Sequence, residues 1–272
     1  MSGTGRQLSE INTTITAEGR KMMDSKGPVK LCITSGKGGV GKTSLTVNLA
    51  YALAANQKRV LIVDGDLGLA NVDVLLGLSV DRTIRDVLDG GTDPAQAVVQ
   101  VSAGVGVLPA SSGVPELVNL GPEEQDQLGD LLTAIMVPYD YALLDTAAGI
   151  GPSVLWFNTF TDHNLVITGP DPASLTDAYA LIKVLHRDYG RDRFHVVVNF
   201  VTSEREAVKI YESLAGVTHR FLNLKPAYLG GIPRDTSVIQ AARSQRPFVQ
   251  QSPAQPAARA VFKLAERIIE LA

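Results

Sequence analysis

The stretch TSGKGGVGKTS, Thr34–Ser44, follows the apolar run KLCIT and precedes a helical pattern that begins at Lys42. Within it, GKGGVGKT satisfies the spacing Gly, four residues, Gly-Lys-Thr from Gly36, in the strand-then-helix context that the spacing requires. The glycines let backbone N–H groups turn inward around a β-phosphate, and the helix N-terminus adds a favourable dipole. Lys42 reaches the β- and γ-oxygens, and Thr43 offers its hydroxyl to Mg²⁺. A nucleotide site is therefore predicted over Gly36, Lys37, Gly38, Gly39, Val40, Gly41, Lys42, Thr43 and Ser44. One lysine is enough to hold a nucleotide, so Lys37 needs a separate explanation.

Outward from this loop, short apolar runs alternate with longer amphipathic segments. Strands are predicted at KLCITS near residue 30, RVLIVDG at 59–65, VGVLPA at 105–110, DYALLDT at 140–146, NLVITG at 164–169, FHVVVNF at 194–200 and AYLGGIP at 227–233. Helical patterns are clearest over Lys42–Asn56, Pro122–Met136, Ser174–Tyr189 and Pro256–Leu271. Continuous Val/Ile/Leu runs separated by helices are what a mostly parallel sheet, covered on both faces, requires. The expected fold is α/β and doubly wound, with seven or eight strands. Residues 1–27 are polar, with Leu8, Ile11 and Ile15 at helical spacing, and read as an arm or short helix outside a single domain over 28–272.

Composition narrows the class. With 25 Lys+Arg against 28 Asp+Glu, the chain has no basic excess for neutralising phosphates and gives no strong nucleic-acid signal. It has no apolar run of membrane-spanning length and no secretory leader pattern, so a cytoplasmic location is expected. The single cysteine, Cys32, lies in an apolar run and excludes a multi-cysteine cluster within one subunit.

Phosphoryl transfer also needs carboxylates at strand ends. VDGDLGLANVD supplies Asp64 and Asp66, and ALLDTAAGIG supplies Asp145. At the C-terminal edge of a parallel strand a carboxylate lies in the crevice where open α/β sheets bind ligands, placed to hold Mg²⁺.

Taken together, the KGGVGKT loop, the Asp-x-Asp segment and the DTAAG segment resemble the deviant-P-loop ATPases of the MinD/ParA class, over roughly residues 28–270. The resemblance implies a slow regulatory ATPase that binds ATP and Mg²⁺ and forms a homodimer in the ATP state. Lys37 would cross the dimer interface to the partner's nucleotide, Asp66 would orient the attacking water, Asp64 would support the metal shell, and Asp145 would be the Walker-B-like carboxylate. Segments 64–73 and 145–151 would be switches. Asn199, Pro233 and Arg234 match adenine-contacting positions.

DLGLANVDVLLGL and DPASLTDAYALIKVLHRDYG are most similar to flagellar-number regulators of the FlhG/FleN type. That branch implies a flagellar transcriptional activator or an SRP-type GTPase as partner, with partner surface on Leu67–Asp73 and Ser174–Tyr189. The alternative is a positioning ATPase acting on DNA or at the division site. The family's N-terminal motif for GTPase stimulation is absent as such, which counts against that activity. The last segment places Ala258, Val261, Phe262, Ala265, Ile268 and Ile269 on one face. Its polar face is mixed in sign, so it is expected to dock on the sheet. No clear membrane anchor is then expected within these 272 residues, although transient contact with the membrane or cell pole stays open.

Overall fold

The computed structural model describes residues 27–66, 71–88, 93–110 and 121–271. Apart from Gly27, the expected N-terminal arm falls outside the described residues, as does part of the 64–73 segment. Among the described residues the strands are β1 (Val29–Thr34), β2 (Val60–Gly65), β3 (Val99–Ser102), β4 (Val105–Leu108), β5 (Tyr141–Thr146), β6 (His163–Thr168), β7 (Phe194–Val201) and β8 (Ala227–Pro233). They form one sheet in the order β3-β4-β2-β5-β1-β6-β7-β8. Every neighbouring pair is parallel except β3–β4. The strand missing from the sequence-based list is β3. It is four residues long, half-exposed at the sheet edge and follows a 3-10 turn, so it carries no continuous apolar run.

The helices are α1 (Lys42–Ala55), α2 (Val72–Leu76), α3 (Ile84–Leu88), α4 (Pro122–Met136), α5 (Pro152–Phe160), α6 (Pro172–Tyr189), α7 (Glu204–Leu222), α8 (Thr236–Arg243), α9 (Phe248–Gln251) and α10 (Pro256–Ile269). On one face of the sheet, α1 and α10 pack over Leu31, Ile33, Ile62 and Leu165; on the other lie α4 and α5, then α6 and α7. All six residues of β2 and of β5 are buried, as two-sided coverage demands.

Helix α1 is buried on every side from Leu45 to Leu53 because it lies between the sheet and α10. The last helix docks as expected, burying Ala257, Ala258, Val261, Leu264, Ala265 and Ile268. Each fully buried branched side chain there is worth about 1.5–3 kcal/mol. The apolar stripe of α6, the helix named as candidate partner surface, is core: Ala178, Leu181, Ile182 and Leu185 are buried. Strand order reverses about β1, which has β5 on one side and β6 on the other. The crevice at the C-terminal end of β1 is therefore where this architecture binds ligands.

Candidate nucleotide site

The loop from Gly36 to Gly41 fills that crevice between β1 and α1. Gly41 is the residue before α1, has φ 91° and provides no side-chain cap. A left-handed backbone is readily available to glycine alone, and the uncapped first turn keeps its N–H groups for an anion. Gly36 is fixed for a different reason: a Cβ there would lie 2.2 Å from the carbonyl oxygen of Asp177 on α6.

Beneath the loop is a buried polar cluster. Lys42 Nζ donates to Ser35 Oγ at 3.0 Å. Burial pushes its pKa down, against the attraction of Asp145 and Asp66. Asp145, at the end of β5, accepts from Thr46 Oγ1 at 3.0 Å and from the Thr43 hydroxyl. Asp64, at the end of β2, stands opposite Asp145 in the β2–β5 register. Its Oδ1 accepts from the Asp66 amide at 3.1 Å, and its Oδ2 from the amides of Asn71 at 3.1 Å and Val72 at 3.2 Å. Burial, then repulsion from Asp145, pushes Asp64 up to about 7; burial pushes Asp145 up to about 6.

Two buried carboxylates at one register, with the Lys42 ammonium near Asp145, leave negative charge that a divalent cation would complement. Carboxylate oxygens with the Thr43 hydroxyl are a donor set that suits Mg²⁺. Among the described residues no three His, Cys, Asp or Glu side chains gather to cage a metal by themselves.

Next to the loop is a cavity of about 360 Å³, lined by Gly41, Ser44, Asn199, Phe200, Pro233 and Arg234, among others. Asn199, Pro233 and Arg234 thus lie together on one wall. Asn199 spends part of its amide on the loop: Nδ2 donates to Val40 O at 2.8 Å, and Oδ1 accepts from the Phe200 amide at 2.9 Å. Phe200 has φ 61° and is held by Arg234, whose Nε donates to its carbonyl at 2.9 Å. Such a backbone costs on the order of 1–3 kcal/mol and persists where its surroundings determine it.

Lys37 lies apart from this cluster. Its Nζ pairs with Asp171 Oδ1 at 2.7 Å, and the two side chains keep 40% and 44% of their exposure. Asp171 also caps α6 through the Ser174 amide at 2.9 Å, and Lys37 holds its carboxyl below the usual range.

The family model described as a ParA-group NUBPL iron-transfer P-loop NTPase matches residues 28–269. The chain belongs to the MinD/ParA family of P-loop ATPases. It is 42% identical to the antiactivator FleN of Pseudomonas aeruginosa, over 91% of this chain and 89% of that protein. It is 33% identical to the flagellum site-determining protein YlxH of Helicobacter pylori, over 88% and 82%. Among solved structures it resembles the cell-division ATPase MinD of Pyrococcus furiosus, with TM-score 0.75 and 28% identity over 90% and 99% of the two chains. MinD of Pyrococcus horikoshii in complex with Mg-ADP is similar at TM-score 0.75 and 27% identity, over 90% and 97%. Within the family this chain is FleN/FlhG-like. Its one cysteine, Cys32, is wholly buried, so the iron-transfer part of the model's description finds no cysteine cluster here.

Three residues of the site escaped the sequence reading. Ser35 and Thr46 hold Lys42 and Asp145, but lone hydroxyls carry no motif. Asp171 had a signal, an Asp before Pro at a helix start, that indicates a cap and not an ion-pair partner.

Proposed function

We propose that this FleN/FlhG-like protein is an ATP-gated dimerising switch, a slow ATPase that regulates flagellar number or biosynthesis from the cytoplasm. It would act through a transcriptional activator or an SRP-type GTPase, with residues 28–272 as one working domain. The names of its FleN and YlxH relatives support the flagellar role. The observation that carries the switch is the position of Lys37, half-exposed and held by a surface carboxylate while Lys42 alone joins the buried cluster.

In this reading Lys42 and the first turn of α1 bind the β- and γ-phosphates, and Asn199, Pro233 and Arg234 flank the base. Thr43, Asp64 and Asp145 would hold Mg²⁺, which supplies charge neutralisation on the phosphates. Asp66 orients a water whose oxygen attacks the γ-phosphorus as the bond to the β–γ bridging oxygen breaks; the attacking water's proton leaves with phosphate. Lys37 exchanges Asp171 for the nucleotide phosphates of a second copy. Loss of the γ-phosphate then removes the charge that holds the dimer together.

The test is light-scattering mass with ADP or a non-hydrolysable ATP analogue plus Mg²⁺, for wild type and Lys37→Ala. Doubling with the analogue alone, and with Lys37 present alone, is expected. A monomer throughout, or a dimer indifferent to nucleotide, overturns the reading.

A further inference from the structure

Among the described residues the sheet ends at β8, which pairs with β7 alone. Beside it is a groove of about 540 Å³ lined by Leu229, Gly230 and Gly231 of the strand and by Arg259, Lys263 and Arg267 of α10, among others. The three basic residues are four apart on the helix, hence on one face, and all are exposed. None of them forms an ion pair among the described residues. The groove also contains Glu204, whose carboxylate accepts from the Tyr228 hydroxyl at 2.8 Å. The patch is therefore cationic on a chain whose net charge is −3.

Geometry selects what fits there. Asp235, just past β8, accepts from the Ala257 amide at the start of α10, and Arg267 near the end of α10 donates to the Leu229 carbonyl of β8, so α10 and β8 run alongside each other. Basic groups four apart on a helix repeat every ~6 Å, and alternate side chains of an extended strand repeat every ~6.6 Å. A strand laid along β8 would thus offer every second side chain to one of the three cations. Two positions of the floor are glycine, while Arg267 already takes one backbone acceptor of β8, the Leu229 carbonyl, so an added strand would share that donor. Gly230 has φ 145°, and a Cβ there would lie 3.2 Å from the Arg267 guanidinium, which donates to the carbonyl of Leu229. A second copy of β8 would bring the same three charges with it, and like charges beside an edge repel such pairing.

We propose that this groove binds an extended acidic segment of a partner protein, added as a ninth strand on β8 with alternate carboxylates on Arg259, Lys263 and Arg267. Main-chain hydrogen bonds supply the binding, and the alternate charges supply the selection. Pro233 also lines the base cavity, and the Asp235 carboxylate there accepts from the Ala257 amide at the start of α10 at 3.2 Å. The groove and the nucleotide site thus share a wall.

The test uses the full chain and a fluorescein-labelled decapeptide of alternating glutamate and valine, read by fluorescence anisotropy. Binding is expected, weakened at least about tenfold by Arg259→Glu with Lys263→Glu. Affinity of the double variant for an ATP analogue should not change, which also verifies that it folds. The same peptide N-methylated at alternate residues should fail on wild type. Equal binding of the N-methylated peptide, or of one with its glutamates in a block, would reduce the groove to a diffuse cationic patch. Absence of peptide binding, binding indifferent to the double variant, or binding of duplex DNA in place of the peptide would overturn the proposal.

Discussion

Lys42 and Lys37 are five residues apart in one glycine-rich loop and occupy opposite environments. Lys42 is buried beneath the loop with Ser35, Asp145 and Asp66 around it, and burial pushes its pKa down. Lys37 keeps two-fifths of its exposure and meets one surface carboxylate. A buried cation is costly to leave unpaired, so Lys42 is committed to the site. An exposed ion pair is weak and screened, so Lys37 can exchange partners at little cost. In the proposed switch the loop would combine a fixed charge with one that exchanges partners.

The largest effect that would break this contrast is expected at Lys42. Lys42→Ala should weaken ATP binding about 10- to 100-fold, the loss of a charge-assisted contact worth ~1.5–3 kcal/mol. Titration calorimetry measures it, and a change below threefold would mean that the buried lysine does not grip phosphate. Gly36→Ala comes next: its Cβ must displace the Asp177 carbonyl, an overpacking cost of about 1–3 kcal/mol that thermal or urea unfolding would register.

Lys37 should behave in the opposite way. Lys37→Ala is expected to change monomer ATP affinity less than about threefold, in keeping with a weak surface contact. Asp171→Asn keeps the cap on α6 while removing the charge that holds Lys37, so it should shift ATP-dependent dimerisation to lower protein concentration. Sedimentation at a series of concentrations would show it, and an unchanged midpoint would mean that the pair does not restrain Lys37.

pH sharpens the contrast from the carboxylate side. Asp64 and Asp145 have folded-state pKa values of about 7 and about 6, above the ordinary carboxylate range near 3.8. The native state therefore binds more protons than the unfolded chain in that interval. Stability should be full near pH 4 on this account and fall as pH rises through 7. Nucleotide-free melting temperatures between pH 5 and 8 should show the decline, and Asp145→Asn should reduce its slope. The smallest effect belongs to a surface pair remote from the loop. Arg59 and Asp140, 2.8 Å apart and exposed, should contribute no more than ~1 kcal/mol, so Arg59→Ala should barely move the melting curve.

How much of this was legible in the chain depended on whether the signal was local. A strand buried on both faces must be apolar throughout, so β2, β5 and β7 announce themselves. A phosphate loop must repeat glycine at set offsets, so Gly36–Ser44 does too. The aspartates Asp64, Asp66 and Asp145 were readable because each lies at or just past the C-terminal end of such a strand. The antiparallel edge strand β3 was not, because a half-exposed four-residue strand obeys neither pattern.

The sequence by itself determined the parallel α/β architecture, the nucleotide loop and the family, because each rests on residues close together in the chain. Only the tertiary structure decided which charges meet. Lys37 faces Asp171 across 134 residues, Thr46 reaches Asp145 across 99, and Asn199 holds Val40 across 159. Those pairings follow from strand order about β1, and strand order is a property of long-range packing that no local spacing encodes.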